Sequence, residues 1–472
     1  MKNLNKNILL IGSFVTMLSI VSCTKSFLDQ KPYTSISRED ALKTAADIKT
    51  ALNGTYANLR NGELRGAAVP LLGDLLADNI YLSTVNIGLF NGENAYSITT
   101  DGAYSNRVWF FAYANILQAN NIIDAELNQG ADVLQYKGEA YAIRALVYFD
   151  LVRLFGKPYT TDPNSLGVPV VLHYDPAALP KRNTVAEVYT QILSDLDKAI
   201  NLMSQYNGSA RFSKYAAIAL KAKVSLYNGD YQNAYDLAKD VLSNSGFTPV
   251  NRAALTGYWA SATPHDGDNK VETLFELASD VFNNNGSDEL SMHFVQADNS
   301  EGEMLTTQSL YDAYTATDVR KSLILKGVRN RVGGENPAYI VNKYPVLVGD
   351  FNEKKVIRFS EVQLIAAEAA YRINKEPEAI ILLNALMAQR DPSLTYHSSG
   401  LALLADIVQE RRKELAFEGD RFFDLNRLNQ DIMRTEEYPS GIIEAGDYRR
   451  VMPMPLGEIN VNPNIIQNPD YH

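Results

Sequence analysis

The chain has 472 residues, 46% of them hydrophobic and 21% charged, and a formal net charge of −11. That acidity argues against nucleic acid and against an anionic lipid surface as partners. Its single cysteine excludes an internal disulfide, so stability must come from packing.

In chain order, Lys2 and Lys6 precede Ile8 to Val21, a run without a charge that ends in Ile20-Val21-Ser22-Cys23. A basic start, an apolar stretch and a small residue at the cut describe a secretory signal over residues 1–22. The stretch is shorter than the roughly 20 residues a bilayer span needs. Ile-Val-Ser-Cys resembles a bacterial lipobox, in which the thiol of Cys23 is acylated before the signal is removed. The alternative is an ordinary signal peptide with an incidental cysteine. One acyl chain anchors only marginally, at about 0.8 kcal/mol per buried CH2, so durable attachment takes the several chains that lipobox proteins usually carry. Loss of residues 1–22 removes two lysines and no acid, which leaves the body more acidic still.

Beyond the leader, much of the chain reads as helix pairs. Trp109 to Glu126 and Tyr136 to Phe155 make one, with a stripe of Tyr141, Ala145, Tyr148, Phe149, Val152 and Phe155. Thr184 to Met203 is amphipathic, with Thr184 as N-cap and Glu187 three residues on. From Ser213 to Gly246 a helix, a turn at Asn228-Gly229-Asp230 and a second helix follow one another. The second helix carries Tyr231, Ala234, Leu237, Ala238, Val241 and Leu242 at intervals of three and four. Phe359 to Asp391 repeats the plan around Asn374-Lys375-Glu376-Pro377, with Val362, Ile365, Ala366 and Ala369 facing Ile380, Leu383 and Met387. Pairs of about 34 residues resemble irregular tetratricopeptide repeats, although unrelated hairpins in a bundle would show the same period. The expected fold is mostly α: a superhelical frame with long loop-rich insertions forming a second lobe.

Three segments lack helical period: Leu82 to Asn106, Gly246 to Gly302 and Val328 to Asp350. Loops that long in a compact domain are usually functional. Tyrosine (27) outnumbers phenylalanine (17), which suits surfaces needing an apolar face with a polar tip, and sugar rings present C–H faces with hydroxyl rims. Trp109 shares a helical stripe with Tyr113, Ile116 and Asn120 and is expected in the core. Trp259 follows Gly257-Tyr258 without period and is the first candidate platform for a glycan. Tyr258, Phe282 and His293 share its insertion, and Tyr81, Phe90, Tyr96 and Tyr104 lie in or beside the first one. For each, local packing of the loop onto the frame is the alternative. One ring covering some 60 Å² of sugar contributes about 1.5 kcal/mol, and three such contacts reach about the millimolar range.

Catalytic signals are poor. The five histidines (His173, His265, His293, His397 and His472) include no pair at helical zinc spacing. No Gly-x-Ser-x-Gly elbow, phosphate loop or dinucleotide fingerprint appears, and no cofactor is expected. With 55 acidic residues, a glycosidase-like carboxylate pair remains open by chance alone. No metal site is expected; Asp266, Asp268, Asp288 and Glu289 offer carboxylates to calcium, but without the twelve-residue loop pattern they read as solvated turns.

The last quarter carries a family resemblance. Gln409 to Arg427, QERRKELAFEGDRFFDLNR, and Val451 to Tyr471, VMPMPLGEINVNPNIIQNPDY, resemble the C-terminal signatures of the SusD/RagB family of Bacteroidota lipoproteins. SFLDQKP after Cys23, LGDLLADN (Leu72 to Asn79), WFFAYANILQANNII, RALVYFDLVRLFG and the later helix pairs match its pattern in order. On a helix Arg411 reaches Glu414 and Leu415, Gly419 is where that helix can end, and Asp424 and Arg427 sit three apart. Arg411, Arg412, Glu414, Glu418, Arg421, Asp424 and Arg427 read as a partly buried ion network rather than an active site or phosphate cradle. The chain then divides into the leader 1–22; 23–245, with helix pairs and ligand loops over 82–106; an insertion lobe, 246–350; and 351–472, the last helix pair and signature region. The resemblance implies a non-catalytic lipoprotein of the cell outer membrane, facing outward, that delivers glycan to a SusC-like TonB-dependent transporter. In this family the corresponding loops form the ligand site, but no position within them carries over by match. A RagB-like peptide binder is the closest alternative, ahead of a helical glycoside hydrolase or a pure interaction scaffold.

Overall fold

The computed structural model describes residues 41–175, 177–261, 269–297, 300–329, 333–346 and 352–471. The leader, Cys23, His265, Asp266, Asp268 and His472 lie outside the described residues.

Helix α1 (Ala45–Leu59) opens on a capping box between Thr44 and Asp47. After a π-helical turn come α2 (Ala68–Leu75), buried along its length, α3 (Ala103–Ile123) and α4 (Ala131–Phe155). The Thr184–Glu187 capping box starts α5 (Val185–Leu202). Ser213 caps α6 (Lys214–Tyr227), and Gly229, at φ +82°, turns the chain into α7 (Tyr231–Asn244). The later frame helices are α8 (Phe359–Arg372), α9 (Glu376–Arg390), α10 (Gly400–Glu414) and α11 (Arg421–Arg427), followed by a short helix over Leu456–Val461.

These helices form an unbroken stack: α1 on α3, α3 on α4, and so on through α7, with α8 packed on both α9 and α10. Helix α7 packs directly on α8, although more than a hundred residues separate them, so the chain leaves the frame after α7 and returns to it at α8. The architecture is a helical repeat frame. No helix among the described residues is long and apolar enough to cross a membrane.

The excursions build two small antiparallel sheets. One runs in the order β1 (Ile80–Leu82), β3 (Met304–Thr306), β5 (Ala338–Val341), β4 (Ile324–Gly327), with Ile80 opposite Thr306. The other pairs β2 (Thr273–Leu277) with β6 (Lys354–Arg358). Because β1 leads into the first loop-rich segment and β3 falls in the 246–350 insertion, segments far apart in sequence share one sheet. They share the core of the frame as well, since Leu255, Trp259, Leu274 and Phe275 belong to the same buried cluster as the helices.

One close approach ties α2 to the turn that follows α10. A Cβ on Gly73 of α2 would lie 1.9 Å from the Gly419 carbonyl oxygen, and one on Gly419 (φ +83°) would lie 2.5 Å from Pro70 Cα. Only glycine at both positions lets the two backbones touch. Gly419 therefore does not end α10, which stops at Glu414 with Leu415 as its C-cap.

Candidate functional site

The structure removes most of the loop aromatics from candidacy as exposed platforms. Trp259, on the short helix Leu255–Ala260, is 3% exposed. Its ring lies 4.1 Å from Lys343 Nζ and 5.2 Å from the Arg358 guanidinium, with the Tyr344 ring edge-on at 5.7 Å. Two cations and an aromatic edge take the faces that a sugar would need. Tyr258 is buried with its hydroxyl 2.7 Å from Thr273 Oγ1. Tyr81 packs edge-on against Tyr438, while Phe90 stacks on Tyr104 at 3.6 Å. Tyr96 is buried under Arg434 and donates its hydroxyl to the Leu76 carbonyl. His293 is buried too; desolvation disfavours its charged form, but Glu301 and Glu303 outweigh it and push the imidazole up to about 9. Trp109 is in the core, as its stripe predicts. Packing won in each case: Trp259, Tyr258, Phe90, Tyr96 and Tyr104 share the frame's core, and Tyr81 packs in a separate small cluster with Leu305, Ala338 and Tyr438.

Phe282 is the exception at 93% exposed. It sits on a tight turn in which Asp280 and Asn283 exchange backbone hydrogen bonds of 3.1 and 3.2 Å. Asp280 Oδ1 also accepts from the Phe282 and Asn283 amides at 2.7 and 2.8 Å. A carboxylate that accepts from two successive amides fixes the turn and leaves its apolar tip no room to fold back.

Asn283 belongs to the lining of a cleft of about 310 Å³, with Asn53, Tyr56 and Arg60 from α1, Arg211, and Glu276 of β2. The Arg211 guanidinium lies 4.5 Å from the Tyr56 ring centroid and donates to Asn53 Oδ1. The Tyr56 hydroxyl donates to Glu139 at 2.8 Å and accepts from the Phe212 amide at 2.9 Å, which fixes the ring. Arg60 donates to the Ala278 carbonyl at 3.0 Å. The result is a shallow hollow of amide and guanidinium groups around Tyr56, with Phe282 outside the lining and next in the chain to Asn283. Among its described lining Glu276 is the only carboxylate, and it is held by Lys355 at 2.7 Å. A larger hollow of about 590 Å³, lined by Leu42, Lys43, Asn121, Asp124 and Glu126 among others, presents no aromatic ring among its described residues.

The cleft joins the frame to the insertion, and none of its lining residues is among the loop aromatics named from sequence. Helix α1 went unassigned although Thr44-x-x-Asp47 and the stripe of Ile48, Leu52, Thr55 and Leu59 mark it. Once α1 is drawn, Asn53, Tyr56 and Arg60 fall on a neighbouring face at intervals of three and four.

The C-terminal charges form a buried network with partners that differ from helical neighbours. Arg411 pairs with Asp424 at 2.7 Å and Glu361 at 3.1 Å, not with Glu414. Glu414 instead gathers Arg390, Arg358 and Arg320 at 3.0 to 3.2 Å. Burial raises the Glu414 carboxyl, but these three cations outweigh it and hold the group well below the usual carboxylate range. Glu418 accepts from Arg358 and Lys343, both at 2.7 Å, and Arg427 grips Glu368 and Asp424. Arg412 and Arg421 reach back to Asn79 and Asp78, and Asp74 accepts from the Gly419 amide at 2.8 Å. Every charge in the cluster has a partner, which is the geometry of a clamp rather than of a reactive centre. Asp288 is paired with neither a cation nor a second turn carboxylate at calcium spacing among the described residues, and Glu289 is bound by Lys354.

Residues 26–226 match the family model described as starch-binding associating with outer membrane, and residues 348–471 match that described as the SusD family. The chain is similar to the SusD-like protein P2 of Formosa agariphila, at 28% identity over 98% of this chain and 99% of the relative. It is similar in structure to a SusD superfamily protein from Bacteroides thetaiotaomicron (30% identity, TM-score 0.82, 90% of this chain and 100% of the other). A putative sugar binding protein from Bacteroides vulgatus gives the same TM-score at 27% identity, covering 92% of this chain and 100% of the other.

Proposed function

This chain belongs to the SusD family, and from that premise we propose that it is a non-catalytic surface lipoprotein, anchored through Cys23 in the outer membrane. It captures oligosaccharide and passes it to a SusC-like TonB-dependent transporter. The observation that carries the reading is the cleft between α1 and β2, where Asn53, Asn283, Arg60 and Arg211 line a hollow with the Tyr56 ring, and where the exposed Phe282 precedes Asn283 in the chain. Amides and guanidinium groups match the rim of a sugar, and the ring matches its C–H face. A hollow this open supplies weak capture, which suits a protein that must release its cargo. The sugar-binding name of a structural relative and the lipobox at Cys23 point the same way.

Affinity electrophoresis of the purified protein in gels cast with different polysaccharides tests this directly. At least one glycan is expected to retard the protein, with no reducing ends released on prolonged incubation. Retardation by none, or hydrolysis abolished by mutating one carboxylate pair, sinks the reading; retention of peptides alone would replace sugar by peptide as cargo.

A further inference from the structure

His293 closes the short helix Leu290–Phe294, after which the chain doubles back. The Glu301 and Gly302 amides both donate to the Met292 carbonyl, at 2.9 and 3.0 Å. Gly302 sits at φ +55°, where a Cβ would come 2.6 Å from the Val295 carbonyl oxygen. The return places Glu301 and Glu303, two apart on an extended segment, beside the imidazole. Nδ1 of His293 lies 3.1 Å from Glu301 Oε2 and 3.5 Å from Glu303 Oε1, and one ligand atom from each of the three residues lies within 4.8 Å of the others.

These distances fit a metal ion. Zinc bound to nitrogen and oxygen at about 2.0–2.1 Å in a tetrahedron sets neighbouring ligand atoms about 3.3 Å apart, between the two distances observed. Glu303 is fully buried, and its Oε1 makes no hydrogen bond; nor does His293 Nδ1. The imidazolium pairs with these carboxylates by charge but without hydrogen-bond geometry, an incomplete compensation for burial that a divalent cation would complete. The other Glu303 oxygen accepts from the Ile87 amide at 3.2 Å, which orients the carboxylate as an outer-shell partner does in metal centres. Phe90 closes one side of the ring at 5.8 Å, and Glu301, partly exposed, leaves a way in from solvent.

We propose that His293, Glu301 and Glu303 bind a divalent metal ion, with zinc the ion that one imidazole and two carboxylates fit best and water completing the tetrahedron. Calcium and magnesium prefer all-oxygen sets with more ligands. The Ser83 amide donates to the Glu303 carbonyl at 2.8 Å and the Ile87 amide to its side chain, so the ion would fasten the 83–90 loop to His293 and Glu301 through Glu303. The site stands apart from the α1–β2 cleft and does not depend on the glycan reading.

The test is calorimetric titration of chelator-treated protein with Zn²⁺, alongside Co²⁺ absorption as a reporter of tetrahedral geometry. One equivalent is expected to bind. His293→Ala and Glu301→Gln should each weaken binding at least tenfold with an unchanged far-ultraviolet spectrum. Should His293→Ala misfold, the partly exposed Glu301→Gln carries the decision by itself. An absence of stoichiometric binding in the unaltered protein, as expected if an imidazolium alone holds the two carboxylates, overturns the proposal, as does affinity that survives the substitutions.

Discussion

Trp259 and Phe282 lie in the same loop-rich insertion, and the molecule treats them in opposite ways. Trp259 roofs the C-terminal charge cluster, held between Lys343 and Arg358, whereas Phe282 stands on a self-bonded turn with nothing packed over it. Neither has helical period around it, so aperiodicity says only that a ring is off the frame's regular stripe. Whether the ring faces inward depends on what the fold brings opposite. Cations and a helix end wait across from Trp259, and solvent lies across from Phe282.

The contrast breaks first at the cluster itself. Glu414→Ala leaves three buried guanidinium groups short of a partner and is expected to cost about 3–5 kcal/mol, read as a large fall in urea midpoint or loss of folded protein. Trp259→Ala should cost about 3–4 kcal/mol by the same measurement; if the residual fold binds glycan as before, Trp259 is architecture and not platform. The pH dependence comes next. The Glu414 and Asp424 carboxyls are held low by their arginines, so their contribution is complete above about pH 4.5 and lost as pH falls through the folded values. Asp74 runs the other way: burial raises it to about 7, so its contribution is complete below pH 3.8 and is lost as pH rises toward 7. Urea midpoints should therefore rise steeply from pH 2 to about 4.5, and a flat profile there would contradict the network. The smallest effect sharpens the comparison. Phe282→Ala should move stability by no more than about 0.5 kcal/mol while weakening glycan retardation about tenfold, the value of roughly 60 Å² of ring contact.

The frame was legible because its signals are local. Thr184 with Glu187, Asn228-Gly229-Asp230 and the alanine stripes of the paired helices each report on residues within one or two turns of themselves. The Arg/Glu cluster was legible as a cluster but not as a set of pairs. Arg411 takes Glu361 and Asp424 because α8 and α11 pack across it, and no spacing rule on α10 encodes that. The cleft was less legible for the same reason: the loop beside it was named through Phe282, but Asn53, Tyr56 and Arg60 reach it from another quarter of the chain. His293 shows the limit most plainly, since its carboxylates come from a reversal set by Gly302 rather than from any helical interval.

The contact between Gly73 and Gly419 ties an early helix to a turn near the end of the polypeptide. Bringing such distant segments together is entropically expensive and comes late in folding. Asp74 and Asp78 wait for Gly419, Arg412 and Arg421, so a chain cut before this turn leaves two carboxylates facing an open seam. For a chain made from its first residue onward, the seam works as a completeness check: it zips only when the later turn has arrived.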